Sequence, residues 1–300
     1  MKKTLLIFID GLGWGPADSV TNPCHAYGGQ CFRFPDPAPD GPVPVFRSGW
    51  ARPIDAVLGV DGVPQSATGQ TTLLTGVNAQ AALGRHLTGF PNAALRAILL
   101  EHSILKILAG RGYRARFLNA FRPLFWKLSR EQQLTLSATT VANLAAGLPF
   151  FDLEDVKAGR SIYQEFTNRE LQERGFDVPV FTPEEAGRVL ARNARLHDFT
   201  FFEYFQSDKA GHSRDHVRIG GELAKLDAFL EAVLGELETD LAGDLLVVLT
   251  SDHGNLEDTR KHSHTTNPVP LMAWGCGSRD FVTGIEGLDQ VTPAILQRHP

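Results

Sequence analysis

Three apolar runs in this chain end in the same way. "TLLIFID" stops at Asp10-Gly11, "FTFFEYFQSDKAGH" delivers Asp208 and His212, and "DLLVVLTSDHG" delivers Asp252 and His253. Each run is short, rich in Leu, Ile, Val and Phe, and apolar at consecutive positions. That is the pattern of a strand buried on both faces. "PVPLMAWG" reads as a further buried strand. Helical patterns lie between the runs. "GELAKLDAFLEAVLGELE" sets Leu223, Leu226, Phe229, Leu230, Val233, Leu234 and Leu237 on one face. "TPEEAGRVLARNARLHD" offers Thr182 as N-cap, Pro183 at the first helical position and Glu185 to close a capping box. This alternation predicts an α/β fold, a mostly parallel sheet with helices on both faces.

Ligands of open parallel sheets bind beyond the carboxyl ends of the strands. The polar clusters that follow the apolar runs are therefore expected at one sheet edge. Asp10, Asp208, His212, Asp252, His253 and His264 supply carboxylate oxygens and imidazole nitrogens, which suit divalent ions such as zinc or manganese. Six such groups exceed the needs of one structural zinc. They fit two ions, which together can clamp the attacking and leaving oxygens of a phosphoryl transfer. Taken singly, each Asp is a turn former and each His a surface or core residue. Their joint occurrence at three strand ends carries the metal reading. "VPQSATGQTTLLTG" reads as a turn opening a short helix that Gly76 ends. Ser66 falls at its N-cap, with its hydroxyl at the positive end of the helix dipole, where a phosphate also binds well. Ser66 is thus the preferred nucleophile over Thr68, and simple capping is the plainer alternative.

The remaining sequence sets limits. A chain of 300 residues with 43% apolar and 21% charged residues can bury a large core, as one domain or as a core with an insertion. A net charge of −5 without a basic stripe speaks against a nucleic-acid partner. The N-terminal apolar run, Leu5 to Ile9, is too short for a secretory signal, and no run is long enough to span a membrane. Cys24, Cys31 and Cys276 lack metal or redox spacing, so free thiols in a loop and a cytoplasmic location are expected. Residues 16–53, rich in Pro, Gly and Asp, read as a long surface loop with a lid or binding role. "ILKILAGRGYRARFLNAF" reads as helix, turn at Gly112, then a strand into Asn119. "SATTVANLAAG" and "NRELQERG" are the clearest helices of the middle region. The expected division is a catalytic core of residues 1–121 and 191–300 and a small helical insert or lid of residues 122–190.

These motifs resemble the alkaline phosphatase superfamily, and within it the branch of cofactor-independent phosphoglycerate mutases and phosphopentomutases. "SDHGNLED" followed by "HSHTTNPVPL" is the most specific match, "DGLGWG" and "SDKAGH" are similar to two further metal segments, and "QSATGQT" is similar to the nucleophile segment. The resemblance covers roughly residues 1–120 and 198–274. It implies one metal on Asp208, His212 and His264, and another on Asp10, Asp252, His253 and Ser66. His262 matches no ligand. Three departures stand out. Gly69-Gln70 replaces the Gly-His of the mutases, and the room for an insert is small. An arginine-rich glycerate-binding motif is not found. The resemblance therefore implies a metal-dependent phosphoester hydrolase, phosphatase or phosphodiesterase-like, acting on a small phosphorylated substrate through Ser66. A phosphomutase is the alternative, and a non-catalytic, metal-stabilised binding module the third reading. Lys209, Asn255 and Arg122 are weaker candidates for phosphate contact, with surface solvation as their plainer role.

Overall fold

Strand β1 (Lys3–Ile9) runs up the middle of the sheet, and its alternate side chains enter two separate cores. Leu5, Ile7 and Ile9 face one core, while Leu6 and Phe8 face the other. A run apolar at every position is what such a two-sided strand needs. The computed structural model describes residues 2–36 and 38–300. Met1, at the start of the expected core, and Pro37, within the expected long loop, lie outside the described residues.

The other strands are β2 (Val43–Val45), β3 (Gly49–Ile54), β4 (Ala115–Phe117), β5 (Asn119–Ala120), β6 (Ile162–Tyr163), β7 (Phe199–Tyr204), β8 (Leu245–Thr250) and β9 (Val269–Gly275). Among the described residues, seven of them form one sheet in the order β2-β3-β9-β8-β1-β7-β4, and β5 pairs with β6 separately. The half containing β8, β1, β7 and β4 is parallel, and β9, β3 and β2 continue it antiparallel. The expected α/β class holds, with its parallel half at the site. Register brings Ile9 opposite Tyr204 and Phe8 opposite Thr250, so β1, β7 and β8 end level with one another.

Helices cover both faces. Pro183–Leu196 and His216–Glu236 pack on one, burying Val189, Leu190, Leu223, Leu226, Phe229 and Leu230. The first of these carries the expected capping box of Thr182 and Glu185. Ser66–Thr75, Ala93–His102, Ile104–Gly110 and Ala138–Ala146 pack on the other. Ala138–Ala146, from the middle region, lies in this layer against Ala93–His102 and Ile104–Gly110. Leu153, Tyr163, Leu171 and Val178 form a small cluster of their own. Among the described residues no helix is long and apolar enough to cross a membrane.

Two expectations need correction. The stretch 16–53 is not one long loop, because it holds the helix Pro23–Tyr27 and strands β2 and β3. Pro44 lies in edge strand β2 and Pro53 near the end of β3, where a missing backbone donor is tolerated, so proline content concealed two strands. Cys24 and Cys31 are free thiols, Cys31 in a loop as expected but Cys24 in the helix Pro23–Tyr27. Both are buried in the first core, with burial raising the pKa of each thiol, while Cys276 is exposed.

Phe229 shows how one face is held. Its ring stacks on Phe166 at 4.4 Å and leans on Phe202 at 5.6 Å, with no solvent access of consequence. Phe229→Ala is expected to destabilise the protein by about 3–5 kcal/mol. Urea unfolding followed by circular dichroism would measure this, and a loss under about 1 kcal/mol would contradict the packing described.

Candidate metal centre

The level ends of β1, β7 and β8 put the expected residues side by side. Asp10 follows β1, and its amide donates to the Tyr204 carbonyl at the end of β7. The chain then turns at Gly11, whose φ is +73° and whose missing Cβ leaves room for Asp208. After β7, the helix Gln206–Ser213 displays Asp208 and His212 one turn apart on one face. Asp252 and His253 follow β8 and are fully buried. His264 arrives from the segment before β9, pinned where Thr265 bridges Gly254.

Around His253 Nε2 the donor atoms gather. Ser66 Oγ lies at 3.0 Å, Asp10 Oδ1 at 3.3 Å and Asp252 Oδ2 at 3.4 Å. The Nδ1 of His253 faces the Gly254 carbonyl at 3.4 Å, which fixes the proton there and leaves a lone pair on Nε2. Asp10 Oδ1 and Asp252 Oδ2 are buried and have no hydrogen-bond donor. A set of buried lone pairs with one hydroxyl proton among them fits a divalent cation. Beside it, His212 Nε2 and His264 Nε2 face each other at 3.3 Å, with Asp208 oxygens at 3.3 and 3.5 Å from them. His264 Nδ1 is engaged with the Pro64 carbonyl at 3.0 Å, so its Nε2 is also free. Asp208, His212 and His264 could hold a second cation. The rings of His253 and His264 stack at 3.6 Å between the two groups.

Electrostatics agree with this. Burial, then the charge of Asp208, pushes the Asp252 carboxyl up to about 7. Burial and the charge of Asp252 raise Asp10 well above the carboxylate range. Burial holds His253 and His264 down at about 4, so both are neutral at neutral pH. Asp208 goes the other way: burial opposes its ionisation, but hydrogen bonds with His212 and Asn255 help bring it to about 2.

Ser66 needs one correction. It is the first residue of the helix Ser66–Thr75, not its cap; Gln65 holds the cap position and no side chain caps the helix. The Ser66 hydroxyl meets the His253 nitrogen instead, which makes plain capping an inadequate account of it. Thr68 is buried, with its hydroxyl bonded to the Gln65 carbonyl and the Leu87 amide. Gln70, the departure from the mutase pattern, donates to Asp10 Oδ2 at 3.1 Å. Asn255 is buried and donates to Asp208 Oδ1 at 2.7 Å, so it positions that carboxylate and is not a solvated surface group. Lys209 is exposed at a cavity beside Ser66, Arg122 does not line that cavity, and His262 is exposed and meets Arg214.

Two buried glutamates escaped the sequence reading. Glu257 accepts from the amides of Gly13 (3.1 Å) and Asn255 (2.8 Å), from Asn267, and from the Thr265 hydroxyl. It ties the loop after β1 to both halves of the loop after β8. Glu203, inside β7, lines the cavity next to Ser66, accepts from Thr139 at 2.8 Å and is pushed up to about 7 by burial. The signal for Glu203 was a lone charge inside an apolar run.

Comparison with known proteins accords with this arrangement. Residues 184–299 match a family model described as the metalloenzyme superfamily. A phosphopentomutase of Rhizobium leguminosarum bv. trifolii is 38% identical over 89 residues, 29% of this chain and 21% of that one. A 2,3-bisphosphoglycerate-independent phosphoglycerate mutase of Wolinella succinogenes is 30% identical over 119 residues, 38% of this chain and 24% of that one. The matched stretch thus spans about a quarter or less of these relatives. An alkaline phosphatase structure from the Antarctic bacterium TAB5 superposes with a TM-score of 0.56 at 15% identity, covering 99% of this chain and 97% of that one. The family resemblance read from the sequence therefore holds, in motif over the C-terminal part and in fold over the whole chain.

Glu257→Leu is expected to leave two buried amides unpaired, at about 1–3 kcal/mol each. Thermal unfolding should show this loss. Stability equal to the parent would mean that Glu257 does not brace these loops.

Proposed function

We propose that the protein is a metal-dependent phosphoester hydrolase that uses Ser66 as nucleophile and two divalent ions, of zinc or manganese type, as cofactors. The observation that carries this reading is the convergence of Ser66 Oγ, Asp10 Oδ1 and Asp252 Oδ2 on His253 Nε2, next to Asp208, His212 and His264. Asp10, Asp252, His253 and Ser66 would hold one ion, and Asp208, His212 and His264 the other. Divalent ions there would lower the pKa of the serine hydroxyl and neutralise charge growing on the leaving oxygen.

The chain's own groups do the rest. Ser66 Oγ forms a bond to phosphorus as the ester oxygen leaves, giving a phosphoserine and an alcohol. Water then attacks the phosphoserine, releasing inorganic phosphate and restoring the hydroxyl. Asn255 holds Asp208 in place, and Lys209 offers a cation to the phosphoryl oxygens from the cavity mouth. The cavity beside Ser66, about 410 Å³, suits a small phosphorylated molecule. The exposed Phe90 and Lys209 on its border support access of water, and so hydrolysis. The free cysteines accord with a reducing cytoplasm. A second reading is a phosphomutase, which the names of the matched relatives favour. It differs only in the fate of the phosphoserine, which a second substrate hydroxyl would attack instead of water.

Three measurements test this. With zinc or manganese supplied, Ser66→Ala should lose several powers of ten in turnover, while Thr68→Ala loses stability and keeps most turnover. Equal turnover in Ser66→Ala and parent would exclude the covalent route. Phosphate release from ribose 5-phosphate or glycerol phosphate supports hydrolysis, and conversion to an isomeric phosphate without release supports the mutase.

Metal analysis should give two ions per chain, and Asp252→Asn should reduce that number while the fold stays cooperative. One ion or none in the saturated parent would overturn the two-ion reading.

Proton release gives the third measurement. Without metal, the Asp252 carboxyl keeps its proton below pH of about 7 and must lose it to bind a cation. Titration calorimetry in buffers of different ionisation heat should show more protons released at pH 6 than at pH 8. No difference between the two would contradict the raised pKa of the Asp252 carboxyl.

A further inference from the structure

Ser66 and Asp208 come from different ligand groups, and both border the cavity of about 410 Å³. A neighbouring cavity of about 540 Å³ touches His212 and His264 but not Ser66. In an in-line displacement the ester oxygen leaves on the side opposite the nucleophile. Ser66 borders the first cavity and not the second, so the organic group of an ester it attacks belongs in the first. Four aromatic rings line this cavity: Phe205, which precedes Asp208 by one turn of chain, with Phe90, Phe117 and Phe121. Phe121 is held rigidly, at 4.4 Å from the Phe125 ring and edge-on to Phe150 at 4.9 Å.

We propose that this cavity selects phosphomonoesters whose organic group is a flat apolar ring, with Phe90 and Phe205 as the residues that determine specificity. The proposal rests on the phosphoester reading above. Charge in the cavity argues against the other common classes. Among the described residues Lys209 is the one cation on its border, and its ammonium lies over the Phe205 ring at 4.6 Å. No arginine lines it, whereas Asp10, Asp208 and Glu203 do. A second anionic group on the substrate would lack the forked partner that carboxylates and phosphates favour. The uncharged polar side chains of the lining are already engaged, Gln70 with Asp10, Asn119 and Thr139 with Glu203, Ser137 with Thr140 and Gln164 with Tyr163, which leaves a polyhydroxylated group few partners. A ring meets complementary faces and edges on several sides. Phe90, at 63% exposure, has apolar surface free to cover such a ring.

Binding of non-cleavable phosphonates to the metal-loaded full chain tests this without relying on turnover. The probes are 2-phenylethylphosphonate, 2,3-dihydroxypropylphosphonate and 3-phosphonopropionate, each titrated by calorimetry. The phenyl probe is expected to bind about tenfold tighter than the other two. Phe90→Ala should erase most of that preference and change the affinity for 3-phosphonopropionate less than twofold. Phe90 is exposed, so this variant should fold; Phe205→Leu is the second variant, and should weaken the phenyl probe in the same direction. The proposal is overturned if the diol or the carboxylate probe binds as tightly as the phenyl probe, if none binds, or if the preference survives both substitutions. Tighter binding of 3-phosphonopropionate would move the organic group to the neighbouring cavity, which Arg85 and His262 border. Failure of the reaction reads differently: the phenyl preference would stand, yet 2-phenylethyl phosphate would release no phosphate.

Discussion

Buried lone pairs without protons are the constraint on which the rest of the molecule depends. Asp10 and Asp252 bring carboxylate oxygens within 3.4 Å of the His253 Nε2, all three side chains being buried. Burial first, and then the charge of neighbouring carboxylates, drives Asp10 and Asp252 towards their neutral forms. The surrounding fold must therefore be stiff enough to hold them together. The parallel half of the sheet provides this, because its strand ends are fixed by backbone ladders and cannot retreat singly.

Close backbone approach completes the frame. A Cβ on Gly69 would lie 2.7 Å from the Asp252 carbonyl, so this glycine lets the nucleophile helix sit directly on the loop that carries Asp252 and His253. Glu257 does the corresponding work on the other side by collecting amides from two loops. These contacts explain why a helix that begins at Ser66 can aim its first hydroxyl at His253.

Much of this was legible in the residues themselves. A strand buried on both faces has one signature, a continuous apolar run, and an Asp that ends it is conspicuous. That made β1, β7 and β8 and the polar residues after them readable, and the sheet brings those residues together. Strands β2 and β3 were hidden because prolines are tolerated at the sheet's flank, and short antiparallel strands leave no long run. Glu203 and Glu257 were missed because their roles arise from contacts with residues such as Thr139 and Gly13, far away in sequence. Ser66 was singled out for a reason that the structure corrects. Capping preference located it, but an imidazole holds its hydroxyl.

The pairing of β1 with β7 and β8 also governs how the chain can reach this state. Thr4 pairs with Phe199 and Lys3 with Leu245, closing loops of roughly 200 residues or more before the central ladder exists. Such non-local pairing is slow, and β1 precedes both of its partners in the chain. A nascent chain thus carries an apolar segment with both edges open until β7 and β8 have followed. The pocket of carboxylates and imidazoles cannot form in any N-terminal fragment, since only the late strands bring its other members. Folding and assembly of the centre are one event, and the long wait leaves β1 open to association with other chains or capture by a chaperone.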